Sequence, residues 1–558
     1  MKGTPFTEAR LLSLYNRVAE ADDAIARLRR FVLDLAVRGK LVPQEAGDEP
    51  ASALLEQIEK ATRKPTRPQS DDCPFALPPG WAWSDIGGIC SKTGSGSTPR
   101  GGKEVYTPEG IPFLRSQNVY DHGLVLNDVA YISPDVNERM SGTNVLPRDL
   151  LLNITGGSMG RCCRVPDRFD GANVSQHVAI IRCAVPEMAD FAHVLVRSPY
   201  FQGFIFGEQT GAGRGGLPKN RMDRIIVAVP PLVEQRRIVA KVEELMALLD
   251  RLEAARAARE ETRTRLTAAT LSRLNEADTD TSTSVRFALK TLPALTTRSD
   301  QIKTLRQTIL NLAVRGKLVE QDSGDEPASE LIKRISTAFA EKAAKGELNK
   351  PKAVGQVSPA DELFVAPPSW QWARFAKIAS IESNLVDPKR YLHMPHVAPD
   401  NIQSWTGRLL PYTSVREAGV FSGKHLFKSG VLLYSKIRPN LAKVTKVDFE
   451  GLCSADMYPI FPLIDRDFLL IFMITPHFVN QAVSEDNRVA MPKINQAALS
   501  EVIVPVPPLA EQHRIVAKVE ELMSLCDRLE RALQDATTTR ARLLDATLRE
   551  ALLQTEPA

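Results

Sequence analysis

The stretch VPPLVEQRRIVAKVEELMALLDRLE, residues 229–253, returns as VPPLAEQHRIVAKVEELMSLCDRLE, residues 506–530, with four differences in 25 positions. Within the first copy Ile238, Val242, Leu245, Leu249 and Leu252 recur at steps of four and three, the spacing of a coiled-coil seam. The second copy keeps that seam as Ile515, Val519, Leu522, Cys526 and Leu529. Pro230-Pro231 and Pro507-Pro508 fit only before a helix or in its first turn, so each helix has a defined start.

Working outward, the repeat extends over the chain. LRRFVLDLAVRGKLVPQEAGDEPASALLEQIEKA, from Leu28, returns as LRQTILNLAVRGKLVEQDSGDEPASELIKRISTA, from Leu305, an offset of 305 − 28 = 277 that the helix above shares. This segment carries a second seam, Ile25, Leu28, Val32 and Leu35, repeated as Ile302, Leu305, Ile309 and Leu312, and Gly39 and Gly316 stop it. PPGWAW at Pro78 and PPSWQW at Pro367 are offset by 367 − 78 = 289, so the first linker is 289 − 277 = 12 residues shorter. Between these motifs the halves share almost nothing beyond patches such as LPKN at Leu217 and MPKI at Met491.

The order is helix region, linker and globular stretch, twice over. It divides the chain into an N-terminal helical region (1–62), a linker (63–80), a first globular domain (81–231), a central helical spacer (232–345), a linker (346–366), a second globular domain (367–508) and a C-terminal helical region (509–558). The expected fold is α+β: two globular mixed α/β domains in pseudo-twofold arrangement, separated by antiparallel pairs of long coiled-coil helices. The central pair would fold back across the polar segment NEADTDTSTS at 275–284, and the helices at the two termini would form a second pair by the same contacts. A helix from Leu232 to Asn275 would span about 65 Å at ~1.5 Å per residue.

A chain of 558 residues exceeds the roughly 250–300 at which single cores stop growing. A net charge of +4 is compatible with nucleic acid without arguing for it. Seven cysteines without CxxC spacing fit neither a disulfide framework nor a zinc site, and the adjacent Cys162 and Cys163 read as buried thiols. No apolar run approaches the ~18 residues of a membrane span, so the expected location is a reducing cytoplasm, with no membrane partner.

Chemistry-bearing motifs are absent. GSGSTPRGGKE (94–104) has the wrong spacing for a phosphate loop, with Glu104 where a magnesium-binding Ser or Thr belongs. GAGRGG (211–216) lacks the strand, helix and acidic context of a dinucleotide fold. There is no Gly-x-Ser-x-Gly elbow and no Asn-Pro-Pro-aromatic or Asp-Pro-Pro-aromatic motif. What remains are apolar strands running into polar, basic loops, VLPRDLLLNITGGSMGRCCRVPD (145–167) and KSGVLLYSKIRPNLAKVTKVD (428–448), and Arg, Lys, Asn and Gln are the residues that read base edges or grip phosphates. Candidates in the first domain are Lys92, Arg100, Lys103, Arg115, Gln117, Asn118, Asn153, Arg161, Arg214 and Lys219. In the second they are Asn401, Lys436, Arg438, Asn440, Arg488 and Lys493.

The combination of PLxEQxRIVAKVEELM after each globular stretch, LAVRGKL before each, and VLLYSKIRPNLAKV with CSADMYPI inside the second resembles the specificity subunit of type I restriction-modification enzymes over nearly the whole chain. The resemblance implies two target-recognition domains, each reading half of a bipartite double-stranded DNA sequence. It also implies a non-catalytic chain on which two methyltransferase subunits and two motor and nuclease restriction subunits dock. S-adenosylmethionine, ATP and Mg²⁺ would belong to those partners, with no cofactor or metal in this chain. In the second domain Lys436, Arg438 and Asn440 match the family's basic loop, and Asn401 falls in its VxPxNI element. Unlike readers on a duplicated scaffold imply an asymmetric target. The alternatives are a specificity subunit serving a methyltransferase without a nuclease, and a coiled-coil adaptor that binds no DNA.

Overall fold

The computed structural model describes residues 6–19, 21, 23–68, 73–207, 216–275, 298–350, 352–483 and 492–553. Seven helices form the scaffold: α1 (Glu8–Val18), α2 (Ala24–Val37), α3 (Ala51–Thr62), α4 (Leu232–Asn275), α5 (Ser299–Val314), α6 (Ala328–Ala344) and α7 (Leu509–Leu553). The chain divides into two compact units, Met1–Arg259 with Ala536–Ala558, and Glu260–Asp535. The divisions fall inside α4 and α7, so each long helix supplies residues to both units. All but the first residue of the segment 275–284 lies outside the described residues.

The seams are buried. In the first unit Ile238, Val242, Leu245 and Leu249 of α4 pack with Ile25, Leu28, Val32 and Leu35 of α2 in one apolar cluster. In the second, Ile515, Val519, Leu522 and Cys526 of α7 pack with Ile302, Leu305, Ile309 and Leu312 of α5. Arg29 reaches Asp250 (2.6 Å) and Glu253 (2.8 Å), and 277 residues later Arg306 reaches Asp527 (2.6 Å) and Glu530 (3.2 Å). The far end of each long helix is buried in the other unit's cluster. Leu544 and Ala551 of α7 join α1 and α2, where Arg27 pairs with Asp545, while Leu271 and Leu274 of α4 join α5. The terminal helices therefore meet within the first unit, but through Leu544 and Ala551 and not through the seam of α7. The expected seam pairs, α4 with α5 and α7 with α2, are replaced by α4 with α2 and α7 with α5, because each seam closes on the helix of its own half.

The repeated motifs around each seam form one knot. Gly39 (φ 67°) ends α2 and Gly316 (φ 68°) ends α5. In both, the N–H two residues past the cap returns to the helix, Lys40 to Leu35 O and Lys317 to Leu312 O, each 2.9 Å. A Cβ on Gly39 would lie 2.3 Å from Pro78 Cγ, and one on Gly316 2.4 Å from Pro367 Cγ, so the glycine serves both the left-handed turn and the approach of the Pro-Pro-x-Trp segment. The tryptophan indole then donates to the glutamate of Pro-Pro-Leu-x-Glu-Gln: Trp81 to Glu234 Oε2 (3.1 Å), Trp370 to Glu511 Oε2 (2.9 Å). The other carboxylate oxygen accepts from Gln44 (3.0 Å) or Gln321 (2.6 Å). Gln235 and Gln512 hold the Pro230 and Pro507 carbonyls, and Arg237 and Arg514 pair with Asp48 and Asp325. Burial raises the pKa of both glutamates despite these donors. Of the 12 residues by which the stretch from Gly316 to Pro367 exceeds that from Gly39 to Pro78, 17 − 12 = 5 extend α6 relative to α3.

Eight strands of each globular domain set its frame and have a counterpart in the other. In the first they are β1 (Ala82–Asp85), β2 (Cys90–Ser95), β3 (Ile111–Leu114), β4 (Leu150–Asn153), β5 (Cys162–Arg164), β6 (Ala172–Val174), β7 (Val178–Cys183) and β8 (Ile226–Val229). In the second they are β9 (Gln371–Arg374), β10 (Ala379–Ile381), β11 (Pro395–Val397), β12 (Val431–Ser435), β13 (Val444–Val447), β14 (Gly451–Cys453), β15 (Met457–Pro462) and β16 (Ile503–Val506). The pairings match one for one. β1 pairs with β8 and β9 with β16, closing each domain at its ends. The antiparallel sheet runs β5-β4-β7-β2 in one and β13-β12-β15-β10 in the other. A second sheet centres on the parallel pair β3 with β6, or β11 with β14.

The central strands explain why LLLN and VLLYS are apolar throughout. Leu150 and Leu152 face one cluster and Leu151 another; Leu432 and Tyr434 face one, Val431 and Leu433 another. Period-two alternation between two cores leaves no solvent face.

Candidate nucleic-acid interface

The loop leaving the central strand is the same nine-residue clip in both domains. Asn153 N–H donates to Arg161 O (2.8 Å), and Ser435 N–H donates to Lys443 O (2.9 Å), so Asn153 corresponds to Ser435 and Arg161 to Lys443. Two further segments meet the clip. One is the turn after β3 or β11: Asn153 Nδ2 donates to Ser116 O (2.9 Å) in the first domain, and Lys443 Nζ donates to Pro399 O (2.8 Å) in the second. The other is the segment returning toward the last strand, where Leu217 N–H donates to Ile154 O and Ile494 N–H to Lys436 O, both 2.9 Å. One frame is thus held by different side chains.

That geometry corrects one sequence match. The patches LPKN at Leu217 and MPKI at Met491 are not counterparts, because Leu217 is equivalent to Ile494, and 494 − 217 = 277 is the scaffold's offset.

Among the candidates, Asn118, Asn153 and Asn401 are consumed by the frame. The Asn118 amide accepts from Arg115 N–H (2.9 Å) and donates to Val125 O (2.9 Å), and the residue is 1% exposed. Asn401 does the same with Ala398 N–H (2.8 Å) and Pro411 O (2.7 Å). Asn153, fully buried, donates to Ser116 O and to Ser158 Oγ (3.1 Å). Asn118 and Asn153 are buried with their side chains turned into the protein, Asn153 Oδ1 without a partner among the described residues, and Asn401 is half-buried, so all three brace the turns of the site.

The cations divide differently. Lys92 lies in β2 with its ammonium on Gly142 O, and burial, with help from Arg182, lowers its pKa. Arg115 is half-buried and reaches Asp128 O (3.4 Å). Lys219 is exposed and pairs with Asp223. Lys493 is exposed, 3.7 Å from Asp456. Two cations lie over rings, Arg161 at 4.9 Å from the Tyr120 centroid and Lys436 at 5.3 Å from that of Tyr458. Gln117, Arg100, Arg438 and Asn440 are exposed. Arg214, Arg488 and the side chain of Lys103 lie outside the described residues. Clip, turn and return segment bring together Gln117 and Arg161 in the first domain, and Lys436, Arg438, Asn440 and Lys493 in the second. Lys92 and Arg100 belong to the β2 edge and the loop after it. Lys443 was missed; counting nine residues from the end of the apolar strand would have found it, since Arg161 occupies that place in the other half.

No group of acidic, histidine and cysteine side chains among the described residues is placed to hold a metal. Cys162 and Cys163 are buried thiols, the latter's pKa pushed up to about 12 by burial. No helix among the described residues is long and apolar enough to cross a membrane. The interface offers fixed hydrogen-bond donors and positive charge, the equipment of a DNA-reading domain.

Residues 390–538, which contain the second domain's clip, match the type I restriction modification DNA specificity domain. The specificity subunit of the EcoDI type I restriction enzyme of Escherichia coli is 37% identical over 352 residues, 62% of this chain and 66% of that one. The EcoAI specificity subunit of Escherichia coli is 25% identical, over 94% of this chain and 93% of that one. Among solved structures, the HsdS subunit from Thermoanaerobacter tengcongensis is 19% identical with a TM-score of 0.45, covering 86% of this chain and 99% of that one. The chain belongs to the type I restriction-modification DNA specificity subunits, the non-catalytic component of such systems.

Proposed function

We propose that the chain reads an asymmetric, bipartite double-stranded DNA target, one half with each globular domain, and presents its repeated helices to two methyltransferase subunits and two restriction subunits. S-adenosylmethionine, ATP and Mg²⁺ belong to those partners, which carry the chemistry. In this reading the exposed residues Arg100, Gln117, Arg161, Arg438, Asn440 and Lys493 and the half-buried Lys436 face DNA, with Lys443 beside them. Lys92, Arg115 and Lys219 contribute charge at the margin, while Asn118, Asn153 and Asn401 hold the frame. The observation that carries the proposal is one backbone frame bearing unlike side chains on scaffold contacts that repeat without change. Identical half-sites need only one reader used twice.

The test exchanges residues 81–231 for those of a relative with a known target and determines the modified sequence in cells that also make a methyltransferase partner. One half of the target is expected to change while the other stays. A wholly new sequence, or an unchanged one, would refute the division of labour.

A further inference from the structure

The two clips agree down to the handedness of single residues. The fourth and eighth positions are left-handed in both, Gly156 (φ 77°) and Gly160 (φ 88°) in the first domain, Arg438 (φ 49°) and Ala442 (φ 45°) in the second. A left-handed backbone favours glycine, because the Cβ of an L residue crowds the neighbouring carbonyl. The first domain obeys that preference and the second places a long cationic side chain against it. The surroundings hold the conformation: Arg438 N–H donates to Pro492 O (2.9 Å), and Ile437 pairs with Lys493 across the same gap. Pro439 follows, fixing the next φ. Residues kept in sparsely populated backbone regions cluster at functional sites.

Packing does not account for the arginine. It is exposed, and its guanidinium has no hydrogen bond, ion pair or ring contact among the described residues. The corresponding space in the first domain is open, with no atom within 4 Å of a Cβ built on Gly156 or Gly157. The neighbouring cations are engaged with the protein, Lys436 over Tyr458, Lys443 on Pro399 O and Lys493 beside Asp456.

We infer that the position shared by Gly156 and Arg438 is where the two domains read DNA differently: Arg438 recognises a guanine in the second domain's half-site, and the first domain contributes no side chain there. This rests on the DNA-reading role proposed above. A guanidinium held out on a rigid turn matches the two acceptors, O6 and N7, on the major-groove edge of guanine. Lysine, a single ammonium, keeps the charge and loses the fork.

The test selects duplexes from a randomised library with the full chain assembled with a methyltransferase subunit that binds it. The parent, Arg438→Gly and Arg438→Lys are compared, and each is melted. Arg438→Gly is expected to lower the preference for one guanine about 5- to 150-fold, to leave the other half-site untouched, and to melt no lower than the parent. Arg438→Lys is expected to hold overall affinity within a few-fold while losing most of the guanine preference. Unchanged preferences in Arg438→Gly, or a uniform loss of affinity with every preference kept, overturn the inference and leave the DNA-reading role standing. A lower melting temperature for Arg438→Gly also overturns it, since the arginine would then serve the fold. A parent that selects no sequence overturns the DNA-reading role, and this inference with it.

Discussion

Trp81 and Trp370 are the residues through which each recognition domain is tied to its scaffold helix, and each donates its indole N–H to a buried carboxylate. Replacing Trp81 by Phe leaves Glu234 Oε2 without its donor in a site where burial already raises the glutamate's pKa and the indole hydrogen bond opposes that rise. Losing a hydrogen bond to a charged group costs about 1.5–3 kcal/mol. The sign with pH follows from the same contact. A glutamate whose folded pKa lies above the ordinary 4.5 contributes stability that is present below that value and is lost as pH rises through the folded one. Trp81→Phe moves the folded pKa further up, so its deficit is greatest at neutral pH, where the carboxylate is ionised, and shrinks in acid. Urea unfolding at neutral pH and below the ordinary glutamate range checks this; a deficit that grows in acid would refute it. Trp370→Phe should behave alike through Glu511.

Among the elements, the paired seams carry most of the scaffold's energy and their ion pairs carry little. Leu245 is fully buried in α4 against α2, and truncating such a leucine to Ala costs about 2–5 kcal/mol. Arg29, though it meets both Asp250 and Glu253, does so beside solvent, where such pairs contribute about 0–1 kcal/mol. Denaturant titration of Leu245→Ala and Arg29→Ala should show that gap, and equal losses would contradict it. The seams were legible because a helix announces its buried face by spacing, and the knot left the same Trp, Glu, Gln and Arg in both halves. The correspondence of β1–β8 with β9–β16 was not legible. A strand between two cores asks only for apolar residues, which drift freely. The clip's left-handed positions are taken by the glycines Gly156 and Gly160 in one domain but by Arg438 and Ala442, against the usual preference, in the other, so no glycine pattern repeats. That Asn118 and Asn401 hold turns was not legible for the related reason that a turn-holding amide and a base-reading amide look the same in one dimension.

At the scale of the molecule, α7 begins in one compact unit and ends in the other, so cutting it has a predictable and unequal effect. The segment from 536 onward lays Leu544 and Ala551 into the cluster of Leu11, Leu14, Leu28 and Phe31, with Arg27 on Asp545 and Arg17 on Glu550 at its margin. Removing it exposes that face of α1 and α2. The second unit retains its own seam, because Ile515, Val519, Leu522 and Cys526 all precede the cut. Burial of leucine-sized side chains stabilises by about 1.5–3 kcal/mol each, so a chain ending at Asp535 is expected to melt in two steps, the first unit early and the second unchanged. Hydrogen exchange, read by mass spectrometry, should lose protection in α1 and α2 while α5 keeps it. A separate peptide of residues 536–553 is expected to restore that protection in trans, because Leu544, Asp545, Glu550 and Ala551 all meet the first unit. Equal loss of protection in α2 and α5, or no recovery with the peptide, would mean that the terminal segment acts on the fold by some route other than the packing of its own apolar face.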